Sequence, residues 1–250
     1  MDKDDNAGVS RRHALECMLW AGTGLLWTVT GGIPKSLALL DRAEAAEMPG
    51  FTFLQISDSH VGFDKAANPH AVDTLREAIG KIEALPVKPS FMIHTGDITH
   101  LSKPEQFDTA REIIGSPRLD VHYVPGEHDV VDETNGRAYL DRYGKGTKGV
   151  GWYSFDQNGV HFIGLVNVVN LRAGGLGNLG AEQLAWLSDD LGARPSSVPI
   201  VVFAHIPLWT VYPEWGWGTD DSAQALALLK RFGSVTVLNG HIHQIMQKVE

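Results

Sequence analysis

Cysteine is nearly absent from this chain. The one thiol in 250 residues, Cys17, excludes an intrachain disulfide framework and a cysteine-based zinc site. Positive charge is also in short supply. Lys and Arg number 21 against 30 Asp and Glu, a formal net charge of −9 at pH 7. Nothing in the sequence builds a long basic face, so broad binding to nucleic acid or to an anionic membrane is not expected. An anionic small molecule is still admitted, because a local cluster of cations outweighs a distant negative surface. Internal repeats and low-complexity linkers are lacking, and the length suits one domain with its own core plus a tail. Histidine is well represented, with 11 residues, several of them directly after apolar runs.

The first fifty residues read as an address. Ser10-Arg11-Arg12 precedes a weakly apolar stretch, Cys17 to Ile33, that is diluted by Thr23, Thr28, Thr30 and several glycines. Ala43-Glu44-Ala45-Ala46 then supplies small residues suited to a signal peptidase. The order resembles a twin-arginine export signal. An N-terminal membrane anchor, and a cytosolic helix with a chance Arg-Arg pair, are the competing readings. On the export reading residues 1–46 leave, taking Cys17 with them. Residues 47–250 are then the mature domain, periplasmic or extracellular and without a membrane anchor after processing.

From Phe51 onward apolar runs alternate with helical patterns. Phe51–Ile56, Phe91–His94, Val121–Val124, Pro199–Ala204 and Val235–Leu238 read as strands. Asn68–Leu85 places Ala71, Leu75, Ala78, Ile79, Ile82 and Leu85 on one helical face, and Pro86 stops it. Pro104–Ile114, Ala181–Leu191 and Ser222–Phe232 read as further helices, and Trp152–Phe155 with Val160–Val166 as a hairpin about Asn158-Gly159.

Five strands run out into residues able to hold metal: Asp58, Asp97, Glu127, His205 and His241. In open α/β sheets the carboxyl ends of strands gather along one edge, so these side chains can converge. Asp58-x-His60 and His241-x-His243 each place two ligands two residues apart, able to face one cluster. Gly96 lets the backbone bend sharply into Asp97. Carboxylate and imidazole donors suit zinc, iron or manganese. Two such ions about 3.5–4 Å apart can share a carboxylate and a hydroxide that attacks a phosphoryl group. Three carboxylates at apolar strand ends would be costly to bury unpaired, which disfavours a purely structural reading. His94, His122 and His161 sit in or beside strand patterns and read as structural.

At Asp58-Ser59-His60, Gly96-Asp97, Gly126-Glu127-His128-Asp129, the His205 block and Gly240-His241-Ile242-His243, the chain resembles the calcineurin-like metallophosphoesterases. This family includes bacterial cyclic-nucleotide and glycerophosphodiester phosphodiesterases and the purple acid phosphatases. The motifs occur in the family's order from Phe51 to the C-terminus, and the helix at Glu182–Leu187 also looks like one of the family's. The resemblance implies an α/β sandwich of two mixed sheets flanked by helices, with two metals at one edge. It implies Asp58, His60 and His243 on the first metal, Asp97 bridging, and His205 and His241 on the second. His128 would bind the phosphate or protonate the leaving oxygen, with Asp129 orienting its ring. The implied activity is hydrolysis of a phosphate diester or monoester.

The family pattern is broken in two places. Its usual Gly-Asn-His is here Gly126-Glu127-His128, so a full negative charge replaces an amide on the second metal. By the Coulomb argument this weakens the pull on phosphate, and a ferric ion at one site would compensate. A metal- or ligand-binding homologue with reduced hydrolysis is therefore the alternative function. His100 stands where purple acid phosphatases have a tyrosine, so no tyrosinate colour is expected, and His100 is a candidate extra ligand. The chain stops seven residues after His243, where family members usually continue with further strands. Trp209, Tyr212, Trp215 and Trp217 form an aromatic segment suited either to loop packing or to a substrate wall.

Overall fold

A computed structural model describes residues 25–30, 33–38, 50–244 and 246. Its five-stranded sheet runs in the order β2-β1-β3-β4-β5, from β1 (Leu25–Thr30), β2 (Ile33–Ala38), β3 (Phe51–Ile56), β4 (Met92–His94) and β5 (Val121–Tyr123). β1 pairs antiparallel with both β2 and β3, whereas β3, β4 and β5 are parallel. A four-stranded sheet follows as β6 (Tyr153–Gln157), β7 (Val160–Gly164), β8 (Ile200–Phe203) and β9 (Val235–Leu238), parallel except for the β6–β7 hairpin. The hairpin turns at Asn158 and Gly159, both at positive φ (49° and 79°), as Asn-Gly favours.

Strand alternation explains the layering. Phe53, Phe91, Ile93, Phe162, Val201 and Phe203 join one buried cluster drawn from both sheets. Their neighbours Leu54, Ile56 and Met92 face the other way, against α1 (Ala71–Glu83) and α2 (Pro104–Ile114). Ile163, Ile200 and Val202 likewise face α4 (Ala181–Gly192) and α5 (Ser222–Leu229). A period of two thus gives each strand an inner and an outer apolar face, and the molecule is a helix–sheet–sheet–helix sandwich. The central aromatic contacts are specific: Phe53 stacks on Phe91 at 5.2 Å and meets Phe162 edge-on at 5.4 Å.

The expected elements from Phe51 onward are present within a few residues of their expected ends. α3 (Arg137–Tyr143) has no counterpart in the sequence reading. Seven residues are too short to show a helical period, and Tyr139, its one fully buried side chain, carries it into the core. β1 and β2 lie within the stretch read as an export signal, and Leu26 and Val29 are buried there.

Candidate metal centre

The parallel strands deliver their carboxyl ends to one edge of the sandwich. Asp58 follows β3, Asp97 follows β4, Glu127 follows β5, His205 follows β8 and His241 follows β9. The turns after them are unusual. Asp58, His60, Asp97, His241 and His243 all have positive φ, between 41° and 70°. Non-glycine residues pay about 1–3 kcal/mol each for that region and hold it only where the surroundings enforce it, most often at functional sites. Gly96 sits at φ 99°, the bend expected before Asp97. Gly126 is required sterically, since a Cβ there would lie 2.0 Å from Asp97 Oδ1.

Two ligand sets result. Asp58, His60 and His243 form the first, with Asp58 Oδ1 3.1 Å from His243 Nε2 and the two histidine Nε2 atoms 3.2 Å apart. Glu127, His205 and His241 form the second, Glu127 reaching His205 Nε2 and His241 Nδ1 at 2.9 Å each. Between them stands Asp97, whose Oδ2 is 3.4 Å from His60 Nε2 and 3.4 Å from His205 Nε2. Its other oxygen, Oδ1, accepts the His128 backbone N–H at 2.9 Å, which aims Oδ2 into the gap.

The hydrogen bonds fix the ring tautomers. His205 Nδ1–H donates to the Thr95 carbonyl at 2.7 Å, leaving Nε2 facing Asp97 and Glu127 without a hydrogen bond, although it is fully buried. A bare nitrogen and carboxylate oxygens closing on one point is a donor set that a cation completes. The ring nitrogens of His60, His241 and His243 on the side away from the cluster, Nδ1, Nε2 and Nδ1, are buried without hydrogen-bond partners. Burial alone would lower the His205 pKa, but Asp97 and Glu127 hold it well above its usual value. Against the same burial penalty, His243 keeps Asp58 well below the carboxylate range, and His205 and His241 do so for Glu127. Burial wins at His60, whose pKa falls to about 4.

His128 stands beside the first set, its ring 5.0 Å from that of His60. Its Nδ1–H donates to the His100 carbonyl at 2.8 Å, so that carbonyl, and not Asp129, orients the imidazole. The role expected of Asp129 is corrected accordingly. Fully buried, its carboxylate accepts the N–H groups of Ile98, Thr99 and Gly126 and the Thr99 hydroxyl. It therefore ties the Asp97 turn to the Glu127 turn. Burial and the Asp97 charge push its pKa up to about 7. His100 stacks on His128 at 4.8 Å and falls in one potential ligand group with His60 and His128; its Nδ1 is buried without a hydrogen bond.

His122 and His161 lie outside the cluster. His122 stacks on Phe155 at 3.8 Å, and His161 is held between Asp156 and Asp190. His94 does not follow them. It touches the Asp58 turn through Ser59, a contact that its place just before Thr95-Gly96-Asp97 could have signalled. The aromatic segment packs on itself, Trp215 lying 4.9 Å from Tyr212 and 5.0 Å from Trp217. Just past it, Thr219 forms a bridge to Gly177, within the glycine-rich loop Gly174–Gly180.

A family model described as calcineurin-like phosphoesterase matches residues 51–245. The chain belongs to the calcineurin-like phosphoesterase family. It is 25% identical over 199 residues to a 3',5'-cyclic-nucleotide phosphodiesterase of Nostoc, covering 76% of this chain and 70% of that protein. It is 25% identical over 177 residues to a glycerophosphodiester phosphodiesterase of Enterobacter lignolyticus, covering 68% and 61%. Among solved structures, a dimetal phosphatase of Danio rerio superposes with a TM-score of 0.54 at 16% identity, over 74% of this chain and 79% of the other. A purple acid phosphatase of yellow lupin gives 0.56 at 14% identity, over 88% and 53%. These two likenesses establish the fold: the α/β sandwich expected from the sequence is the sandwich observed. As a calcineurin-like phosphoesterase, the chain is a hydrolase of phosphoric esters, and it carries several residue groups able to hold metal ions.

Proposed function

We propose that this phosphoesterase hydrolyses a small-molecule phosphate diester, with Asp58, His60 and His243 holding one cation, Glu127, His205 and His241 a second, and Asp97 both. The equal 3.4 Å distances from Asp97 Oδ2 to the two histidine sets carry this reading. Bound cations would supply Lewis-acid polarisation of the phosphoryl group and activation of an attacking water at neutral pH. The protein supplies the rest. His128, its Nδ1 proton committed to the His100 carbonyl, offers Nε2 to a phosphate oxygen or the leaving group. Diester is favoured over monoester because, among the described residues, the ion pairs of Asp58, Asp97 and Glu127 are all with histidines, so a dianion meets no Lys or Arg among them. The similarity to enzymes named as cyclic-nucleotide and glycerophosphodiester phosphodiesterases agrees with it.

The second reading, a metal-binding homologue with weakened hydrolysis, is favoured by Glu127, whose charge an amide would not carry. A ferric ion at one site would offset that charge, and His100 is a candidate extra ligand. Turnover of a chromogenic diester and a monoester, with manganese, zinc or iron supplied, separates the readings. Turnover lost in Asp97→Ala supports the enzyme; tight metal binding without turnover under any metal rejects it.

The twin-arginine pattern supports export, followed by cleavage beside Ala45 or Ala46. That cut would remove β1 and β2 and leave β3 as a sheet edge. Amino-terminal sequencing of protein from its own host tests this, and an uncut chain in the cytoplasmic fraction would reject it.

A further inference from the structure

We infer that His94 is a positioning residue for the metal centre: a neutral imidazole, outside the ligand set, that braces the two turns carrying Asp58, His60 and Asp97. The inference rests on the dimetal reading above. His94 ends β4 and is wholly buried. The Gly96 backbone N–H donates to its Nδ1 at 3.2 Å. That nitrogen is therefore the acceptor, and the ring proton sits on Nε2, which donates to Ser59 Oγ at 2.8 Å. One ring thus grips the residue between Asp58 and His60 with one nitrogen, and the residue before Asp97 with the other.

Both gripped turns are in conformations that need holding. Asp58 and His60 have φ of 55° and 41°, Gly96 and Asp97 of 99° and 53°. The main chains of the two turns are already bonded to one another, Asp58 N–H to Gly96 O and His60 N–H to Asp97 O, each at 2.9 Å. Those bonds fix the separation of the turns. The ring beneath them adds the side-chain link that stops either turn from relaxing away from positive φ. The next residue extends the arrangement, because the Thr95 carbonyl accepts the His205 ring proton. His94 and Thr95 together therefore reach three ligand-bearing segments: the Asp58–His60 turn, the Gly96–Asp97 turn and His205.

Four variants test this: Ser59→Ala, which deletes only the acceptor, His94→Phe, which keeps a ring and deletes both bonds, their double variant, and His94→Gln, which restores a donor near Nε2. Metal affinity by chelator competition, kcat and KM on a chromogenic diester, and apoprotein melting are measured on each. Loss of a group that orients metal ligands weakens metal binding or activity by about 10–100-fold, so Ser59→Ala is expected to weaken metal binding about tenfold and lower kcat with KM little changed. Adding it to His94→Phe costs nothing more, and His94→Gln recovers part of the loss. Additive effects in the double variant, or a lowered melting temperature with wild-type metal affinity and kcat, would overturn the inference. If His94→Phe fails to fold, Ser59→Ala decides alone, and unchanged affinity and kcat reject the brace. A wild-type protein that binds no metal rejects the dimetal reading instead.

Discussion

Replacing Glu127 probes the most distinctive feature of this site. Its carboxylate reaches His205 and His241 at 2.9 Å each, and its side chain is 24% exposed. At an effective dielectric constant of 20, unit charges about 5 Å apart repel by roughly 3 kcal/mol. A phosphate ester bound between the ligand sets would feel a repulsion of that order from Glu127. Water at the exposed part of the carboxylate reduces it, so removing the charge is expected to raise kcat/KM on a monoanionic diester by about 10–100-fold. A dianionic monoester carries twice the charge, so its gain should be roughly the square of the diester gain. Glu127→Gln keeps the reach and Glu127→Asn shortens it by one methylene, so the pair separates charge from geometry. The assay is kcat/KM on matched chromogenic esters, with metal content verified in each preparation. Chelator competition should show weaker metal binding in both variants. Equal gains on the two esters, or no gain at matched metal content, would refute the electrostatic reasoning.

Four further outcomes are expected. Asp97→Ala should abolish measurable turnover and lower bound metal, read by elemental analysis, because one oxygen serves both ligand sets. Iron-loaded protein should lack a tyrosinate charge-transfer band in the visible spectrum, because position 100 is histidine; a band lost on tyrosine modification would contradict this. Phe162→Ala empties the centre of the inter-sheet layer and should cost about 3–5 kcal/mol in denaturant unfolding. Asp190 should give a pH signature. Burial would raise its pKa, but His161 and Ser154 bind the ionised form and hold it below the usual value. A depressed carboxylate stabilises the fold above its unfolded pKa of about 3.9, and that contribution is lost as pH falls through the lower folded value. The melting-temperature gap between wild type and Asp190→Asn should therefore be present near neutral pH and close in acid.

The sequence determined which residues could bind metal and roughly where the elements lie from Phe51 onward. Runs such as Phe51–Ile56 and Val235–Leu238 are short, apolar and closed by polar residues, and these are local properties that periodicity detects. The motif order from Asp58 to His243 identified the family for the same reason, since ligand chemistry is written in residue type. Only the tertiary structure decided how those residues are aimed. Asp129 lies beside His128 in the chain, yet its carboxylate is captured by two amides of the Asp97 turn and one of its own, while a carbonyl three residues past Asp97 orients the imidazole. His94 read as a core histidine until Ser59 and Gly96 were found on its two nitrogens. Hydrogen-bond direction and positive φ depend on what approaches from distant strands, and the linear order of residues carries no record of those approaches.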